Sequence, residues 1–96
     1  MLKDDSIVVA SSNQFACDLK EELLILNTTL GFYYGLDPVG KRIWSLLQEP
    51  KQVSAIRDVL IREYDVDWEC CTLDLRALLQ DLVQNGLIEV KSAPTA

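Results

Sequence analysis

The stretch Leu30-Gly31-Phe32-Tyr33-Tyr34-Gly35-Leu36-Asp37-Pro38-Val39-Gly40-Lys41-Arg42-Ile43-Trp44-Ser45-Leu46-Leu47 carries a run of aromatics straight into a helix start, with no linker between them. Phe32, Tyr33 and Tyr34 favour a pleated, half-buried surface. Asp37 is a good N-cap, because its carboxylate can accept the orphan amide hydrogens of a first helical turn. Pro38 suits the next position, where a missing N–H costs nothing. Val39, Ile43, Trp44, Leu46 and Leu47 then follow helical spacing. A strand is therefore fixed directly onto a helix, and the rest of the chain must cover that strand or leave its edge open.

Upstream, Ile7-Val8-Val9-Ala10 reads as a short strand closed by the turn-like Ser11-Ser12-Asn13. Residues Met1 to Ser6 read as frayed. Phe15 to Leu19 alternates as a second strand, and Lys20-Glu21 forms a tight turn. Leu23-Leu24-Ile25-Leu26 is too short for a helix and is placed as a central strand. Asn27 to Gly31 makes a hairpin loop in which Gly31 can take a positive φ. Phe32 to Leu36 then closes a small antiparallel sheet as its last strand.

Downstream the periodicity is helical. The first helix runs from about Pro38 to Gln48 and is stopped by Glu49-Pro50. The second, about Val53 to Tyr64, puts Val53, Ile56, Val59, Leu60 and Tyr64 on one stripe. Asp67 caps a third, along which Cys71, Leu75, Leu78, Leu79 and Leu82 recur at helical spacing, with Leu73 and Ala77 widening the apolar surface. Asn85-Gly86 ends it, Gly86 in the left-handed cap and Leu87 folding back. Leu87 to Val90 is a short strand or an extended seal, and Lys91 to Ala96 a polar tail. These parts predict an α+β fold of winged helix-turn-helix type: an antiparallel sheet of three to four strands, then three helices. The 96 residues are expected to form a single domain, ordered over about 6–90.

Composition narrows the function. With no histidine, no Ser-His or Cys-His pair exists and the usual neutral-pH proton shuttle is missing. The carboxylates are scattered over helix positions that suit a solvated face, so catalysis is not expected. Cys17, Cys70 and Cys71 lack a C-x-x-C spacing and read as buried thiols, and no metal or cofactor is implied. A formal net charge of −6 opposes a phosphate backbone. The third helix, where a winged helix would read DNA, carries Asp67, Glu69, Asp74 and Asp81 against Arg76 alone. Neither a signal peptide nor a run of roughly 18 apolar residues is present, so a cytoplasmic protein is expected, without a membrane span. Trp44 and Trp68 are expected in the core and at a helix junction.

The strand Phe32 to Gly35 has aromatics of both parities and none of the charges, prolines or bulges that usually blunt an edge. Two readings stay open: core packing, or an edge that receives a peptide as an added strand beside the third helix. A DNA-binding winged helix and a dimerisation module closed by its own twin are the competing classes.

The run Tyr33-Tyr34-Gly35-Leu36-Asp37-Pro38-Val39-Gly40 with Ile43-Trp44 and Leu46-Leu47 resembles the PqqD-like family. Glu63 to Asp67, Cys71, Asp74-Leu75, Leu78-Leu79 and Gly86 to Val90 extend the likeness over about residues 6 to 90. Within that family it is most similar to the free-standing leader-binding proteins of lasso-peptide gene clusters. Trp68, where a proline is common, and Cys70 depart from the pattern. The resemblance implies a non-catalytic recognition element for a ribosomally made, post-translationally modified peptide (RiPP). Such an element binds the precursor's leader as an extra antiparallel strand and presents it to a separate cysteine-protease leader peptidase. The core peptide is thereby prepared for an ATP-dependent cyclase. A pyrroloquinoline quinone or other peptide-maturation pathway is the related alternative, and a monomer is the expected state. Carried over by position, the peptide contacts fall on Leu30, Phe32, Tyr33 and Tyr34 of the strand and on Cys71, Asp74, Leu75, Leu78 and Leu79 of the helix.

Overall fold

In a computed structural model of the protein, which describes residues 2–12 and 14–91, the aromatic strand does pass directly into a helix. The elements are β1 (Ile7–Ala10), β2 (Gln14–Leu19), β3 (Glu22–Asn27), β4 (Phe32–Leu36), α1 (Pro38–Leu46), β5 (Lys51–Gln52), α2 (Val53–Tyr64), α3 (Trp68–Gln84) and β6 (Ile88–Lys91). The expected α+β class and the order of sheet then helices hold.

Local chemistry explains the boundaries. The Asp37 carboxylate accepts the Gly40 N–H at 2.7 Å, and Pro38 opens α1. Asp67 accepts from the N–H groups of Glu69 and Cys70, 3.1 Å each, and so starts α3. At the far end of α3, Gly86 takes φ +71. Its N–H donates to the Val83 carbonyl and that of Leu87 to Leu82, both at 3.0 Å, which satisfies the last orphan carbonyls. Leu87 folds back and is fully buried. In the β3–β4 hairpin, Gly31 adopts φ +72, and the Asn27 side-chain oxygen accepts from the N–H groups of Thr29 and Leu30. Lys20 supplies the left-handed position of the β2–β3 turn.

The sheet differs from the expectation. Two three-stranded antiparallel sheets form, ordered β2–β3–β4 and β5–β1–β6. Strand β1 lies not beside β2 but between β6 and β5, in register with β6 from Ile7 opposite Lys91 to Ala10 opposite Ile88. The reason is visible just past β1, where the Ser11 N–H donates to the Leu87 carbonyl and its hydroxyl to that of Gly86. The α3 cap thus captures the chain before it turns into β2. Strand β5 is two residues long and carries no periodicity to read. Asn13, part of the expected turn, and 92–96, most of the expected tail, lie outside the described residues.

The frayed N-terminus is also corrected, for Leu2 to Ser6. Leu2 is buried, and the Asp4 carboxylate accepts from Arg57 Nη1 (3.0 Å) and Arg76 Nη2 (2.8 Å), clasping the segment to α2 and α3. Bonds from Arg76 and then Arg57 hold the Asp4 carboxyl below its ordinary value. One core, with Val8, Ile25, Leu47, Val53, Ile56, Leu79, Leu82 and Leu87 at its centre, joins both sheets to the three helices.

Two outcomes are expected. Gly86→Ala should lower stability in urea unfolding by about 1–2 kcal/mol, because an L-residue is strained at that φ. The loss should exceed that of Gly31→Ala: the new Cβ at Gly86 would lie 3.3 Å from the Asn27 amide, whereas Gly31 has open space. Asp4→Asn should lower the melting temperature at pH 7. A depressed folded-state pKa stabilises above the unfolded value and is lost as pH falls through the folded one. The two proteins should therefore converge as pH drops from about 3.9 downward.

Candidate peptide-binding site

Strand β4 pairs with β3 alone, in register from Leu23 opposite Leu36 to Asn27 opposite Phe32. In an antiparallel pair alternate residues direct both N–H and C=O away from the partner. Among the described residues no strand meets that outward row. Phe32, Tyr34 and Leu36 face the protein, and Tyr33 and Gly35 face solvent, as the alternation requires.

Beside the free edge lies a groove of about 740 Å³. One wall is β4 from Tyr34 to Leu36, and the other is α3, through Cys70, Cys71, Asp74, Leu75 and Leu78. Gly40 and Ile43 of α1 and Leu60 of α2 close the floor, while Asp37, Tyr64 and Val66 stand at the mouth. The surface is mainly apolar, with Asp37 and Asp74 as carboxylates at its rim. Burial pushes the Cys71 thiol up, partly offset by the Arg57 charge, so it sits in the wall as a protonated small group.

The walls are joined at one end. The Tyr34 hydroxyl donates to Asp81 on α3. Nearby, the Asn27 amide donates to the Asn85 carbonyl at 3.0 Å, pinning the hairpin to the end of α3. Burial and then the Asp81 bond push the Tyr34 hydroxyl up to about 12, so it stays a donor at neutral pH. Toward Leu36 and the start of α3 no side-chain hydrogen bond crosses between the walls among the described residues, and the groove opens.

Of the residues singled out from sequence, Tyr34, Cys71, Asp74, Leu75 and Leu78 line this groove. Phe32 shares Tyr34's face but lies past the joined end. Tyr33 is 71% exposed on the outer face, and Leu30 stands 65% exposed at the hairpin tip. Leu79 is fully buried and does not line the groove. Leu73 and Ala77 do not widen the groove. Leu73 points to solvent, and Ala77 borders a separate hollow with Leu2 and Arg76. Trp44 is in the core, but Trp68 is 53% exposed, with the Arg57 guanidinium 4.6 Å from its ring centre. Of the three cysteines only Cys71 is buried, so the expectation fails for Cys17 and Cys70. The floor from α1 and α2, and Asp81, escaped the sequence reading. Ile43 and Leu60 look like any core residue until the elements are placed together.

No helix among the described residues is long and apolar enough to cross a membrane. The family model for coenzyme PQQ synthesis protein D (PqqD) matches residues 22–88, which contain β3, β4, all three helices and the groove. No curated protein matches the chain. Among solved structures, TbiB1 in complex with the TbiA(beta) leader peptide is 36% identical. That match covers 88% of this chain and 99% of that one, with a TM-score of 0.79. Lasso peptide synthetase B1 complexed with the leader peptide shares the fold at 20% identity and a TM-score of 0.75, over 85% of this chain and 96% of that one. The chain belongs to the PqqD family, as a PqqD-like RiPP recognition element.

Proposed function

We propose that this protein is a non-catalytic adaptor of lasso-peptide maturation. It binds the leader of a ribosomal precursor as an added strand on β4 and delivers it to a separate leader peptidase. The observation that carries the reading is the unpaired β4 edge lying along an apolar groove. Main-chain bonds to the edge would hold a guest in any sequence, and pockets for alternate side chains would select it. The likeness to TbiB1, whose solved complex holds a leader peptide, supports the same use here. The contacts we assign are main-chain bonds to the β4 edge along the groove, and Cys71, Asp74, Leu75 and Leu78 on the helix wall.

Delivery needs a second surface, and the outer face of the β2–β3–β4 sheet is suited to it. Phe15, Leu26 and Tyr33 are cross-strand neighbours there, with Phe15 70% exposed. A contiguous exposed apolar face is the usual mark of a protein contact. It leaves the peptidase a docking face that does not compete with the groove.

A second reading keeps the mode of binding and changes the pathway: the matched family model is described by coenzyme PQQ synthesis. A panel of labelled leaders, from lasso-peptide precursors such as TbiA(beta) and from a PQQ precursor, separates the two by fluorescence polarisation.

In that titration Leu78→Asp should weaken binding of the cognate leader by tenfold or more, since one buried apolar anchor is worth about 1.5–3 kcal/mol. Glu89→Gln, on the far sheet, should change it less than about twofold. Equal losses would remove the groove from the account. Thiol labelling gives an independent check. Cys17 and Cys70 should react quickly with an aromatic disulfide and Cys71 slowly. Bound leader should shield Cys70, at the groove wall, and leave Cys17 unchanged.

A further inference from the structure

We infer that the Tyr34–Asp81 pair is a register stop: it bars the groove at one end and fixes which guest side chain is the last that can enter. The inference rests on the leader-binding reading above and deepens it. Asp81 is a positioning residue in this scheme, acting through Tyr34.

Three observations meet at this point. The Tyr34 hydroxyl bond to Asp81 runs from one groove wall to the other, so the ring stands across the channel rather than along it. The groove lining stops there: Tyr34 borders it, whereas Phe32, two residues on and on the same strand face, does not. Just beyond, the Asn27 bond to the Asn85 carbonyl holds strand and helix together, so the closed end cannot splay to admit a bulky group. Asp81 is itself held, its other oxygen and its carbonyl accepting from the Asn85 amide.

A strand on an open edge has little to fix its register. Its main-chain bonds are equally good after a slip of two residues, which keeps the same side chains facing inward. Something must distinguish those positions. The bar does so sterically. A large inward side chain fits between Tyr34 and the mouth at Asp37, but opposite Tyr34 it meets a tethered ring.

The test is a tryptophan scan of the parent leader, the tightest-binding lasso-peptide leader of the panel above, replacing one inward-facing position at a time. Affinities are read by fluorescence polarisation against the unaltered protein, Asp81→Ala and Tyr34→Phe. For the unaltered protein, Trp opposite the bar should weaken binding by about tenfold or more, the scale of an overpacked site. Trp nearer the mouth should weaken it far less. Asp81→Ala, outside the groove lining, should shrink the penalty at the bar to about threefold or less while binding the parent leader nearly as before, with an unchanged melting temperature; Tyr34→Phe should shrink it likewise, measured against that variant's own affinity for the parent leader. A merely structural role would lower affinity for every leader alike and leave the pattern intact. An undiminished penalty in either variant overturns the inference. Failure of the unaltered protein to bind the parent leader overturns the leader-binding reading itself.

Discussion

The join between β4 and α1 governs what the rest of the molecule can do. A Cβ on Gly40 would lie 3.0 Å from the Leu36 side chain and 3.2 Å from the Asp37 carboxylate, so the first turn of α1 sits directly on the end of β4. With the Asp37 cap closing that turn, the chain leaves the sheet at once, and no strand among the described residues returns to pair with the outer edge of β4. The groove's floor begins at the same corner, with Gly40. Ile43, one turn further along α1, arrives under the strand, and α3 is held at a distance on the other side.

This corner was legible because its chemistry is local. Asp37-Pro38, the Gly31 turn and the Asn85-Gly86-Leu87 cap each act within a few residues, and each appears as read. The strand alternation at Phe32 to Leu36 is equally local, and it placed Tyr34 and Tyr33 on opposite faces. What sequence could not supply was the partnering of distant segments. Strand β1 carries the same β-branched signal whether it pairs with β2 or with β6. The choice is made by Ser11 and the α3 cap, more than 70 residues apart. Leu78 and Leu79 are adjacent leucines on one helix, and only the direction of the core separates a groove wall from a buried position. Trp68 was drawn toward a packed junction by its size, yet the nearby guanidinium of Arg57 can cover its ring face while leaving the rest in water.

Charge completes the picture. The protein is acidic, and of the groove's titratable rim Asp37 and Asp74 are the carboxylates. Arg57 of α2 and Arg76 of α3 are both committed to Asp4. The helix that a winged-helix regulator would set against phosphate therefore presents Glu69, Asp74 and Asp81 with little basic relief. An acidic rim over an apolar floor would suit the peptide guest of the proposed function better than a phosphate backbone.

The division of labour within the groove follows from what each kind of contact can discriminate. Strand hydrogen bonds replace bonds to water and return only about 0.5–1.5 kcal/mol each, the same for every guest sequence. In the proposed mode they would set the direction and spacing of a guest strand without choosing it. Choice must come from side chains that leave water altogether, and in the proposed mode the place for them is the floor of Ile43 and Leu60 with Leu75 on the wall beside it. Those residues come from three helices and the edge from a sheet, so neither half is a site by itself. The Tyr34 hydroxyl bond to Asp81, together with the Asn27 bond to the Asn85 carbonyl, fastens the sheet to α3 at one end of the groove, so the two halves meet there whether or not a guest is present.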